Sequence, residues 1–193
     1  MTIEQLAGWS ALVAAVATVT GAVFLILFFA RGGFWGLLND IASIVLMLAT
    51  IPVALVVGII ELERVTTVAM IVTGIGIVGM LGATISQALL VARVRTYAQL
   101  LPWTLGSGAI VGVWYILAGV IALAGSLLQP LPWLMIVSGI GFIAIGYGFA
   151  VGNERHPLSV VGGLVLLVAS TAFLGILGWQ LVSGDLVVPD WNL

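Results

Sequence analysis

Six stretches of the 193-residue chain run for 20 residues or more without one Asp, Glu, Lys, Arg or His, and this feature restricts the fold more than any other. They are Gly8 to Ala30, Ile41 to Ile60, Val65 to Ala92, Thr104 to Gly125, Trp133 to Gly152 and Leu158 to Ser183. About 20 apolar residues, rising 1.5 Å each, cross a hydrocarbon core of about 30 Å, so each stretch is long enough to span a bilayer as a helix. The connectors are short, as in Arg31-Gly32-Gly33, Glu61 to Arg64, Arg93-Val94-Arg95, Gln129 to Pro132 and Asn153 to Pro157. Such punctuation turns each span back antiparallel to the one before it and leaves almost nothing for a soluble domain. A β-barrel needs strands alternating apolar and polar residues, whereas runs such as Ile44 to Leu48 and Leu164 to Val168 are continuously apolar. The reading is all-α: one polytopic transmembrane helical bundle of six spans, residues 1–193 forming a single integral membrane domain.

Composition agrees. The chain is 63% hydrophobic and 6% charged, where a soluble domain carries roughly 25% charged residues to cover its surface. With no Cys there is no disulfide, thiolate metal site or thiol nucleophile, and a single His rules out multi-His metal or bis-His haem ligation within one chain. A net charge of −2 offers nothing to nucleic acid. No cofactor and no metal site are expected.

Orientation follows from the arginines, because positive charge is retained on the cytoplasmic side. With the amino terminus outside, Arg31, Arg93, Arg95 and Arg155 fall inside and Arg64 alone outside, so both termini are expected on the extracytoplasmic side. Met1 to Gln5 lacks the basic region of a cleavable signal peptide, so the first span is expected to be retained. Arg without Lys points to a GC-rich bacterial genome, and hence to the plasma (inner) membrane. Trp9, Trp35, Trp103, Trp133, Trp179 and Trp191 fall near or beyond span ends, where indoles favour the headgroup level. Trp114, next to Tyr115 in the middle of the fourth span, does not.

Lipid tails are as apolar as Leu, so helices associate in a bilayer through close packing at small residues. Glycine numbers 25, and small residues recur at four-residue spacing as Ala7, Ala11, Ala15; Thr50, Ala54, Gly58; Gly108, Gly112; and Ala144, Gly148, Gly152. These rows read as internal packing grooves, with a homodimer seam or a membrane-protein partner as the sharper alternative and membrane lipid as the constant neighbour. Met70 to Ile77 and Met135 to Phe142 share six of eight residues, as a duplicated helical hairpin offset by 65 residues would. A competing offset of 91, placing Glu63-Arg64 over Glu154-Arg155, would make an inverted repeat of the kind found in transporters.

No ionisable residue falls inside a predicted span, which argues against proton relays, carboxylate cation sites and acid-base catalysis at membrane depth. What remains is polar and sparse. Asn39, Asp40 and His156 are candidates for a cytoplasmic mouth. Asn39 or Asp40 alternatively caps the second span, and His156 alternatively sits in a solvated turn. Ser43, Gln87, Ser107 and the Asn153 to His156 connector lie toward the same leaflet. Pro52 removes a helical hydrogen bond, so a kink near residues 48–52 is expected to open an interior pocket. Pro52, Gln87, Trp114, Tyr115 and Tyr147 are the candidate ligand-lining set, unless the rings only fill space between Gly-rich helices. The function expected from these readings is a non-enzymatic membrane module, either a packing subunit or a binder of lipid or another apolar molecule. The alternative is a small transporter or channel for a neutral or weakly polar solute.

Overall fold

A computed structural model describes residues 2–124, 127–152 and 156–188, the side chains of residues 62–64 excepted. Assignments made above for Asn153, Glu154, Arg155, Trp191 and the side chains of Glu63 and Arg64 lie outside the described residues. The chain is an integral membrane protein whose described residues form six helices long and apolar enough to cross a bilayer: α1 Ile3–Arg31, α2 Phe34–Glu61, α3 Val65–Val91, α4 Tyr97–Ala122, α5 Leu131–Gly152 and α6 Pro157–Ser183. No strand occurs among the described residues.

Three helices begin earlier than hydropathy alone places them, and local chemistry explains each. At α1, Thr2 Oγ1 accepts from the Gln5 amide at 3.3 Å while Gln5 Oε1 accepts from the Thr2 amide at 3.2 Å, a capping box that satisfies end-of-helix donors. At α4, the Thr96 amide donates to Gln99 Oε1 at 3.1 Å. Pro102 then falls in the second turn of α4, where its missing N–H leaves the Ala98 carbonyl without a helical donor. Between α1 and α2 the chain reverses at Gly32 and Gly33, both left-handed at φ 68° and 65°, a conformation that side chains with a Cβ disfavour. α2 therefore starts at Phe34, and Phe24 on α1 meets Trp35 on α2 with ring centroids 6.1 Å apart.

One sequence expectation changes with that start. Asn39 and Asp40 are not helix caps: Gly33 holds the cap position, and both polar residues lie in the second turn of α2. Pro52, where a kink is expected, keeps helical backbone angles. The departure falls at Val65 (φ −141°, ψ 58°), where α2 hands over to α3. Proline costs α2 one hydrogen bond, and Val53, Ala54, Val56 and Val57 beyond it are fully buried.

Each helix packs on its sequence neighbour, and α6 returns to pack on α1, closing the bundle into a ring. Glycine makes the approaches. Gly76, Gly79 and Gly82 of α3 meet Trp114, Val111 and Ser107 of α4 in that order, so the two helices run antiparallel. Gly112 and Gly139 bring α4 and α5 into backbone contact, Gly141 and Gly162 do so for α5 and α6, and Gly8 and Gly178 for α6 and α1. Parts of the small-residue rows meet the chain's own helices: Ala7 and Ala11 are fully buried, as is Ala54, and Gly148 lies against Ser159, whereas nothing lies within 4 Å of a Cβ on Gly108. The even number of antiparallel helices puts both ends of the ring's chain on one side of the membrane.

Three hydroxyl groups inside the bundle bond within their own helices. Thr18 donates to the Ala14 carbonyl at 2.8 Å, Thr50 to Leu46 at 2.7 Å and Ser138 to Leu134 at 2.7 Å. A bond to the preceding turn satisfies the hydroxyl without demanding a polar partner from a neighbouring helix.

Candidate functional site

An aromatic cluster occupies the middle of the ring. Trp114 and Tyr115 are almost wholly buried, their ring centroids 4.5 Å apart. Tyr115 lies nearly parallel to Phe142 of α5 at 5.9 Å and edge-on to Phe173 of α6 at 5.8 Å. Its hydroxyl bonds the buried side chain of Ser170. These rings fill the centre by packing, as α4 can bring Trp114 in only because Gly76 offers no side chain at that level.

Toward the end of the bundle where α2 and α4 begin and α3 and α5 finish, the packing opens into a cavity of about 200 Å³. Four helices line it: Ser43 and Met47 from α2, Ala83 and Gln87 from α3, Thr104, Leu105 and Gly108 from α4, and Phe142, Ile145 and Gly146 from α5. Counted at 1.5 Å per residue, these positions lie roughly 10 Å inside the helix ends, within one leaflet. The wall is mostly apolar. Ser43 spends its proton on the Asn39 carbonyl at 2.9 Å. Gln87 Oε1 is buried and accepts no hydrogen bond. Phe142 belongs both to this wall and to the aromatic cluster, so the packed rings form the cavity floor.

Of the five candidate lining residues, Gln87 alone lines this cavity. Trp114 and Tyr115 come together, but as core. Pro52 lies partway along α2 and lines neither this cavity nor the larger one between α3 and α4. Tyr147 is 58% exposed and points outward, because Gly141, Ala144 and Gly148 of α5 take the side facing α6. The mouth residues separate as well. Asn39 stands near Gly21 of α1 and bonds Asp40, which is partly buried. His156 caps α6, its Nδ1 accepting from the Leu158 amide at 3.3 Å, and its ring packs over Gly152. Sequence reasoning missed Thr104 and Phe142. Their signal was depth: Ser43, Gln87 and Thr104 sit at similar distances from the same end of the bundle.

One carboxylate departs from the picture of charge confined to exposed helix ends. Glu61, the last residue of α2, is only 2% exposed. A second cavity of about 490 Å³ lies between α3 and α4, lined by Gly82, Ile85, Ser86, Leu89, Arg95, Gln99, Leu100 and Trp103. It shares no lining residue with the first. Among the described residues no group of three His, Cys, Asp or Glu is placed to hold a metal ion. Comparison with family models, with curated proteins and with solved structures finds no match.

Proposed function

We propose that this chain is a non-enzymatic membrane module whose interhelical cavity holds a small, largely apolar molecule carrying one hydrogen-bond donor. The observation behind the reading is Gln87 Oε1, a buried acceptor without a donor, in an apolar wall between four helices. Leaving such an atom unpaired costs about 1–3 kcal/mol, and a bound donor recovers it. A site of this kind discriminates against the same molecule lacking the donor. Reactive groups play no part in this reading. Gln87 and Thr104 offer hydrogen bonds and Met47, Leu105, Phe142 and Ile145 offer contact.

The test compares 1-hexanol with hexane, at equal concentration in the bilayer, by the melting midpoint of the protein in nanodiscs. The alcohol is expected to bind about tenfold more tightly, and Gln87→Leu to reduce the difference to about twofold, as loss of one buried acceptor requires. Equal stabilisation by the two compounds in the wild type, or an unchanged preference in Gln87→Leu, would sink the reading. A second reading, passage of a neutral solute, rests on Phe142, which separates the cavity from the rest of the ring's interior. The binding reading expects reconstituted vesicles to take up glycerol no faster than protein-free vesicles. Protein-dependent uptake that rises in Phe142→Ala would favour transport.

A further inference from the structure

The second cavity carries a different chemistry. It is a groove between the end of α3 and the start of α4, and its components are ordered by depth. Arg95 stands in the connector, Gln99 in the first turn of α4 and Trp103 one turn further, while Gly82, Ile85 and Leu89 of α3 supply an apolar trough running toward the bilayer centre. Trp103 is 71% exposed and Ile85 59% exposed, so the groove faces lipid. Gln99 Oε1 is already held by the Thr96 amide at 3.1 Å, which leaves its amide nitrogen as the part able to donate outward. The described acidic residues do not answer Arg95: Glu4, Glu61 and Asp185 belong to the opposite end of the bundle, and Asp40 on α2 bonds Asn39.

From this arrangement we infer that the α3–α4 groove is a binding site for one anionic phospholipid, its phosphate on Arg95 and Gln99, its glycerol backbone against Trp103 and one acyl chain along Gly82, Ile85 and Leu89. A guanidinium pairs with a phosphodiester through two parallel N–H···O bonds. An indole at the headgroup level suits the ester region. A basic pocket between helices at the interface is where a charged headgroup gains most. The anionic class follows from charge: the groove offers one cation and no carboxylate to receive the ammonium of a zwitterionic headgroup. Gly82 matters to the trough because a side chain there would run into Ser107 Oγ at 2.6 Å, and its absence lets α4 approach α3 beneath the groove. The site stands apart from the cavity at Gln87, and either can fail alone.

The experiment is native mass spectrometry of the full chain released from nanodiscs holding phosphatidylcholine and phosphatidylglycerol in equal amounts. The wild type should retain phosphatidylglycerol over phosphatidylcholine by about fivefold, the preference of one interfacial cation, and Arg95→Gln should remove it. Arg31→Gln removes a cation from the same end of the bundle but outside the groove, and should keep the preference. Equal retention of the two lipids, an unchanged preference in Arg95→Gln, or an equal loss in Arg31→Gln would overturn the assignment. Displacement of the lipid by inorganic phosphate or glycerol 1-phosphate would overturn it too, since that is the behaviour of an ion site without an acyl trough. Arg95 is exposed, so the variant should fold, and an unchanged melting midpoint verifies that it does.

Discussion

Replacing Gly139 by valine is expected to leave little folded protein, whereas the same replacement at Gly74 is expected to be nearly silent. The two glycines occupy equivalent places in the repeated segments Met70 to Ile77 and Met135 to Phe142. Their surroundings differ completely. A Cβ on Gly139 would collide with the Gly112 carbonyl oxygen and meet Ile116 Cγ1 at 2.6 Å, whereas nothing lies within 4 Å of a Cβ on Gly74. A flexible side chain can yield, but a backbone carbonyl in a helix cannot move without moving α4. Overpacking of this type costs about 1–3 kcal/mol in soluble cores and more where backbone must shift, and we place Gly139→Val at about 3 kcal/mol or above. Gly74→Val should fall within about 0.5 kcal/mol of wild type, as outward-facing substitutions do. Unfolding by SDS titration in mixed micelles measures both. Equal losses for the two variants would mean that the α4–α5 contact is not as close as described.

The second large effect concerns Trp114. Trp114→Ala removes the largest fully buried side chain from the centre of the ring. In water such a truncation costs about 3–5 kcal/mol. In a bilayer the unfolded reference state keeps the indole in an apolar solvent, so the transfer part largely drops out and the lost packing remains, about 2 kcal/mol. The partner of that packing is Gly76, whose Cβ would meet Trp114 Cγ at 2.5 Å. Gly76→Leu alone should therefore destabilise, and Gly76→Leu combined with Trp114→Ala should recover about 1 kcal/mol relative to Trp114→Ala, because the leucine occupies the vacated volume. Additive losses in the double variant would show that the two residues do not share that space.

The span count, the helical class and the common side of the two termini could all be read from six uncharged runs, because a bilayer imposes one length and one hydrogen-bonding rule on any segment that crosses it. The helix ends were read less well. Hydropathy begins α1 at Gly8, α2 at Ile41 and α4 at Thr104, yet the helices start at Ile3, Phe34 and Tyr97. Thr2 with Gln5 and Thr96 with Gln99 carry the three-residue spacing of a capping box, a local signal that hydropathy does not contain. The candidate site was legible at Gln87 and, as a polar residue of the same leaflet, at Ser43. Which way Tyr147 points depends on which face of α5 its glycines give to α6, and Trp114 faces the interior because Gly76, on another helix, makes room for it. A single span's sequence holds neither fact. The repeat illustrates the same limit: Gly76 and Gly141 each meet the following helix, while Gly74 and Gly139, equally matched in sequence, do not share a role.

Closure of the ring between α1 and α6 sets an order on biosynthesis. α1 presents Gly8 and Ala11, and the face that fills them, around Gly178 and Leu181, is made five helices later. Until then lipid must lie along that face of α1, so closing the ring requires the arriving α6 to expel lipid from a seam. A chain stalled before Pro157 would carry five inserted helices and an open flank, the kind of intermediate that membrane quality control can recognise.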